Sequence, residues 1–227
     1  MKKGLYLLSC MTAMLLTAAP FAAENITEKA TEAVAEAAEK LNSEASYLSQ
    51  FDSSEYIEIG DYENIPVKSA KGDTSAIQDE IGEYLIHNSS FLHDLPQPFV
   101  NRNTATLKDT LQSYADTYNT SLADFMKYYN PDSTEQTYEQ EIKDMGLAYS
   151  KKLLAMQAVA DAEGMDVTGE ELEKQIETQA EAAGFDSIAD YKKAVKLDPE
   201  ELREVMMSTR VLNFLQDKAV FEEQTTE

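Results

Sequence analysis

Between residues 138 and 171 the chain spells out a helix, a stop and a restart. Tyr138, Ile142, Met145, Tyr149, Leu153, Met156 and Ala160 recur at three- and four-residue steps, the spacing that lines one face of an α-helix. Glu163-Gly164 interrupts the pattern and "MDVT" follows. Thr168, with Glu171 three positions on, then opens a new helix as a capping box, each side chain serving the other's backbone amide. A helix over 135–162, an elbow at Gly164 and a returning helix to Gly184 commit the chain to helices packed on helices. Only 8 glycines and 6 prolines in 227 residues leave little room for anything else.

The rest of the chain fits that plan. Ile77, Ile81, Tyr84 and Leu85 predict a helix from Asp73 to Asn88. Asp94 and Pro96 look like the cap and first-turn proline of the next, on which Leu107, Leu111, Tyr114 and Tyr118 form one stripe. A break at Asn119-Thr120 leads to Ser121, the expected cap of a short helix carrying Leu122, Phe125 and Tyr129. A short helix from Ser187 and a last one over 199–219 complete the series. The run "YADTYNTSLADFMKYY" (114–129) lines up with "QAEAAGFDSIADYKKAV" (179–195) if one residue is inserted. Both read as a helix broken at Asn or Gly, followed by a serine-capped short helix that returns an aromatic to the bend. They suggest two similar helical arms. Only "SSEYIEIGDYENIPVK" (53–68) departs, predicting a short extended or β-hairpin segment near residues 55–68 around a Gly60-Asp61 turn.

The N-terminus is a separate object. Lys2 and Lys3 precede an uncharged, Leu/Met/Ala-rich stretch to Ala23, the pattern of a secretory signal peptide cleaved near Ala22 or Ala23. Two other readings stay open. The stretch could remain uncut as a membrane anchor, or "LLSC" could be a lipobox with Cys10 lipidated. Cleavage would remove the only cysteine, leaving an exported protein without disulfides. The divisions expected are a signal peptide over 1–23, a helical or disordered Ala/Glu-rich tether over 24–50, and a helical domain over 51–223.

The formal net charge of −23 argues against nucleic acid, whose phosphates need clustered Lys and Arg. His87 and His93 lack a third ligand at metal spacing and read as surface or helix-end residues. No phosphate-cradling glycine loop, nucleophile elbow or metalloprotease pattern occurs, so no cofactor, metal ligand or catalytic residue is expected. What the helical half does offer is methionine and tyrosine, adaptable apolar side chains suited to varied partners. Tyr114, Tyr118, Phe125, Tyr129, Tyr149 and Met156 are the candidates for such an adaptable apolar binding surface. The alternative for each is ordinary core packing.

Three stretches carry a family resemblance. "LLAMQAVADAEGMDVTGEELEKQIETQAEAAGF" (153–185) resembles the helix, elbow and returning helix of the C-terminal chaperone domain of bacterial trigger factor. "LREVMMSTRVLNFLQDKAVFEE" (202–223) resembles its closing helix. "YIEIGDYENIPVK" (56–68) is similar to the segment preceding the isomerase domain in trigger-factor-like proteins. The resemblance implies a mainly α fold with helical arms of the trigger factor C-terminal or SurA-like type. The family's ribosome-binding loop has no counterpart here, and fewer than thirty residues separate Val67 from Leu95, where an isomerase domain of about a hundred would stand. What the resemblance implies is therefore an exported, ATP-independent holdase for unfolded or newly exported polypeptides, without ribosome docking. Whether the arms pair as a homodimer to bury their apolar faces stays open from the sequence. A prolyl isomerase, as in longer relatives, and a secreted helical adaptor for one partner are the alternatives.

Overall fold

The computed structural model describes residues 45–222; the signal-like segment and most of the expected tether lie outside them. Seven α-helices carry the described chain: α1 (Thr74–Asn88), α2 (Gln97–Thr117), α3 (Leu122–Met126), α4 (Tyr138–Glu163), α5 (Gly169–Ala182), α6 (Ile188–Val195) and α7 (Pro199–Lys218). Four two-residue strands accompany them: β1 (Ile57–Glu58), β2 (Pro66–Val67), β3 (Ser90–Phe91) and β4 (Val220–Phe221).

Local capping chemistry accounts for most of the boundaries. Asp73 accepts the Ala76 amide at the start of α1 and Ser121 that of Asp124 at α3. Thr168 and Glu171 close the reciprocal capping box of α5, Ser187 caps α6, and Asp198 accepts from Glu200 and Glu201 ahead of α7. Each satisfies an amide that the first turn leaves orphaned. Gly164 ends α4 in the left-handed region at φ 65, where only a residue without Cβ sits at no cost. One boundary differs from expectation. Pro96 stands just outside α2 and Pro98 occupies its first turn, while Asp94 is exposed and plays no part in the cap. Leu95, buried to 4%, turns inward and carries the helix start past the aspartate.

α4 is the axis of the fold. α1, α2 and α7 all pack on it, and β1 runs across it. From Tyr149 onward its buried residues lie on every side, whereas nearer its start only Ile142 and Gly146 are covered. The core they enclose includes Ile77, Ile81 and Leu85 of α1, Phe99, Leu107 and Leu111 of α2, Leu154 and Val159 of α4, and Val211 and Leu215 of α7, all sealed from solvent. Each such side chain contributes about 1.5–3 kcal/mol by leaving water. The first half of α4 pairs with the second half of α2, and α3 closes that hairpin. α5 and α6 pack on each other and touch only α7 among the other helices in any extent. Two helical arms thus leave a common body.

The extended segment near residues 55–68 is not a hairpin. β1 pairs antiparallel with β3, setting Ile57 opposite Phe91. β2 pairs parallel with β4, setting Val67 opposite Phe221. Both strands point Ile57 and Val67 into the core, at 4% and 0% exposure, and that burial selects partners far along the chain over the adjacent strand. The packed chain also starts earlier than residue 51: Ala45 and Leu48 are already buried, at 2% and 4%.

Candidate functional site

Six aromatic or sulfur-bearing residues were candidates from sequence, and the fold gathers four of them at one corner. α2 ends at Thr117 and the chain reverses through Asn119 in the left-handed region. The reversal is closed by amides of Tyr118, Asn119 and Thr120 bonding back to the carbonyls of Tyr114, Asp116 and Ala115. Ser121 then caps α3 and donates its own hydroxyl proton to Asp124 Oδ2 at 2.9 Å. One turn later Phe125 projects back into the bend, 4% exposed.

Around Phe125 stand four tyrosines. Tyr114 and Tyr118 stack on it with centroids 6.1 and 6.0 Å away, Tyr129 meets it edge-on at 5.6 Å, and Tyr128 tilts over it at 5.9 Å. Tyr114 and Tyr129 are half-buried, but Tyr118 and Tyr128 are 70% and 74% exposed. Such pairings add about 0.5–1.5 kcal/mol each beyond burial, so two solvent-facing rings sit on a rigid base. The adjoining charge is balanced. Lys127 Nζ lies 2.6 Å from Asp124 Oδ1, a contact that holds the Asp124 carboxyl below its usual range and raises the lysine.

The other two candidates are elsewhere. Tyr149 and Met156 are 6% and 2% exposed, on the stretch of α4 enclosed by α1, α2 and α7, so they are core residues and do not line a cleft. Tyr149 lies beside the Arg102–Glu204 pair, and burial pushes its phenol up. Sequence reasoning left out Tyr128, although its signal was present as the Tyr128-Tyr129 doublet. One of the two neighbours must face outward when the other packs.

The second corner repeats the first. Gly184 takes the left-handed conformation at φ 77, and the amides of Ala183, Gly184 and Phe185 bond back to Gln179, Glu181 and Ala180. Ser187 accepts from the Asp190 amide and donates to its carboxylate at 2.8 Å. Tyr191 takes the place of Phe125, 6% exposed and edge-on to Phe185 at 5.5 Å. Here the aromatic is sealed and Ile188 is what shows, at 37%. A groove of about 510 Å³ runs between α5 and α6 below it.

Beyond the corners, a cavity of about 480 Å³ lies between residues 48–53, the end of α4, the elbow and α7. Among the described residues no group of three or more His, Cys, Asp or Glu is arranged to hold a metal ion. His87 makes its hydrogen bond to the Glu83 carbonyl at the end of α1, and His93 lies edge-on to Tyr56.

Residues 68–217 match the family described as bacterial trigger factor protein (TF) C-terminus. Trigger factor from Halothermothrix orenii is 24% identical over 173 residues, which are 75% of this chain and 39% of that protein. The chain therefore spans about two-fifths of the length of this curated relative. A solved structure of domains of trigger factor from Thermotoga maritima is 19% identical, covering 71% of this chain and 95% of that one with a TM-score of 0.44.

Proposed function

We propose, from the premise that this chain belongs to the bacterial trigger factor C-terminus family, that it is a chaperone holding unfolded polypeptides on the aromatic surface of the α2–α3 corner. The observation that carries the reading is the pair of exposed rings, Tyr118 and Tyr128, mounted on the buried Phe125. Flat aromatic faces rimmed by hydroxyls accept varied apolar segments, because stacking and dispersion do not demand one partner shape.

The clients are exported polypeptides and the protein works outside the cytoplasm. The support is the Lys2-Lys3 start and the apolar stretch up to Ala23, the pattern of an export signal. The strongly acidic composition favours solubility of the loaded complex.

Light scattering tests this. Purified protein, without nucleotide, is expected to suppress aggregation of several unrelated clients at near-stoichiometric ratios. Protection of none, or of a single client, would sink the holdase reading and favour a dedicated adaptor. Intact mass with cell fractionation of the native protein tests export: loss of residues 1–22 or 1–23 is expected, a full-length chain in the membrane fraction would mean an uncut anchor, and a full-length unmodified chain in the cytoplasm opposes export.

A further inference from the structure

Residues 45–55 run as a strap over the end of α4 and the start of α7, and four side-chain contacts tie them down. Tyr47 donates its phenol proton to Asp198, the Leu48 amide donates to Glu204 Oε1 at 2.9 Å, and the Ser49 hydroxyl donates to Glu200 Oε2 at 2.7 Å. Ser53 donates to Asp161. In all four the body supplies a carboxylate and the strap supplies a neutral donor. The strap, "ASYLSQFDSSE", contains no lysine or arginine, and the Arg102 guanidinium of the body lies over its Tyr47 ring, 4.3 Å from the centroid.

The strap's own backbone is almost independent of the body. Its two short turns, Leu48–Gln50 and Ser53–Glu55, are closed internally. Among the described residues, ladder pairing begins only beyond it, where β1 meets β3 and the Leu92 amide bonds the Tyr56 carbonyl. Its apolar hold comes from Leu48, buried, and Phe51, half-buried edge-on against Phe99 at 5.4 Å. The fit is incomplete: the cavity of about 480 Å³ remains under it, with Phe51, Val167 and Met207 among its walls. The space opens to solvent, so a longer apolar side chain could enter it without displacing packed core.

We infer that residues 45–55 are a displaceable occupant of a peptide-binding groove between α4 and α7. The replacing partner is an extended polypeptide segment of the same chemistry, with apolar side chains three residues apart flanked by hydroxyl and amide donors. One of the strap's anchors is a main-chain amide, which any polypeptide possesses, and the acids of the groove are satisfied by any neutral donor in register. A larger apolar side chain would fill the space the strap leaves. While the strap is seated, the groove's apparent affinity is its intrinsic affinity scaled by the fraction of molecules with the strap released. The groove is separate from the α2–α3 corner, so its test does not depend on holdase activity.

The test titrates a fluorescein-labelled synthetic peptide with the sequence of residues 45–55 into the full chain, read by anisotropy. In a Cys10→Ser background, Ser49→Cys with Glu200→Cys places two thiols across the strap contact for a short bis-maleimide bridge. Bridging is expected to weaken peptide binding by at least about tenfold relative to the same variant unbridged. A second variant, Tyr47→Phe with Ser49→Ala, loosens the strap without touching the groove and is expected to bind several-fold more tightly than the native chain. Equal affinity before and after bridging overturns the inference, as does failure of the peptide to bind any form. If the loosened variant does not fold, the bridged comparison decides alone.

Discussion

Lys152 of α4 reaches across to Asp79 of α1, Nζ to Oδ1 at 3.1 Å, with 6% and 5% of the two side chains exposed. The lysine threads past Gly82, where a Cβ would stand 1.8 Å from its Cε. Burial lowers the lysine's pKa and raises the aspartate's, each partly restored by the other. Removing one member leaves the other charge unpaired in a low-dielectric site, whereas removing both leaves only shape to satisfy. Lys152→Met alone is expected to cost about 3–5 kcal/mol in urea unfolding. Lys152→Met with Asp79→Leu is expected to recover most or all of it. If the single and double variants are equally unstable, the pair is not what organises the α1–α4 contact.

Gly146 sets the spacing of the first arm. A Cβ there would lie 2.1 Å from Thr104 Oγ1 and 2.8 Å from the Thr104 Cα, so backbone, not only a side chain, would have to move. Gly146→Ala would raise helix propensity by about 1 kcal/mol, yet is expected to lower stability by about 1–3 kcal/mol net through overpacking. Thermal unfolding measures it, and a stabilised variant would mean that the helices can part freely.

Glu204 makes stability depend on pH. It accepts the Leu48 amide and pairs with Arg102 Nη2 at 2.5 Å. Yet burial outweighs both and pushes its carboxyl from 4.5 up to about 7. The groups facing it are Arg102 of α2, Tyr149 of α4, the strap amide, and Glu201 on its own helix. Because the folded-state value lies above the unfolded one, folding takes up a proton. The contribution is full below about 4.5 and lost as pH rises through about 7, up to about 3 kcal/mol in all. Urea midpoints from pH 4.5 to 8 should fall with rising pH, and Glu204→Gln should flatten that slope. A native slope unchanged in the variant would assign it to other groups.

The aromatic corner separates client binding from stability. Tyr118→Ser with Tyr128→Ser is expected to weaken protection of aggregating clients by about tenfold, as truncating exposed aromatic anchors does, while lowering stability by about 1–3 kcal/mol, the worth of the two ring pairings on Phe125. Phe125→Ala removes the base of the same surface and is expected to destabilise by about 3–5 kcal/mol. Full protection by the double serine variant would move the client surface elsewhere.

Helix starts, stops and elbows were legible in the sequence because the interactions that make them are local. A serine or threonine hydroxyl reaching an amide three residues on, or a glycine turning at positive φ, involves one stretch of chain, so Ser121, Thr168, Ser187 and Gly164 read true. The repeat of the two corners was legible for the same reason. Tertiary structure alone decided which side chains face water. Tyr118 and Tyr149 are the same residue in similar helical stripes, yet one is 70% exposed and the other 6%. The difference is that α1 and α7 close around the middle of α4 and do not reach the corner. Likewise nothing local marks Lys152 or Glu204 as buried, or joins Pro66–Val67 to Val220–Phe221. Those outcomes depend on segments far apart in sequence competing for one core, and periodicity along a single helix carries no record of that competition.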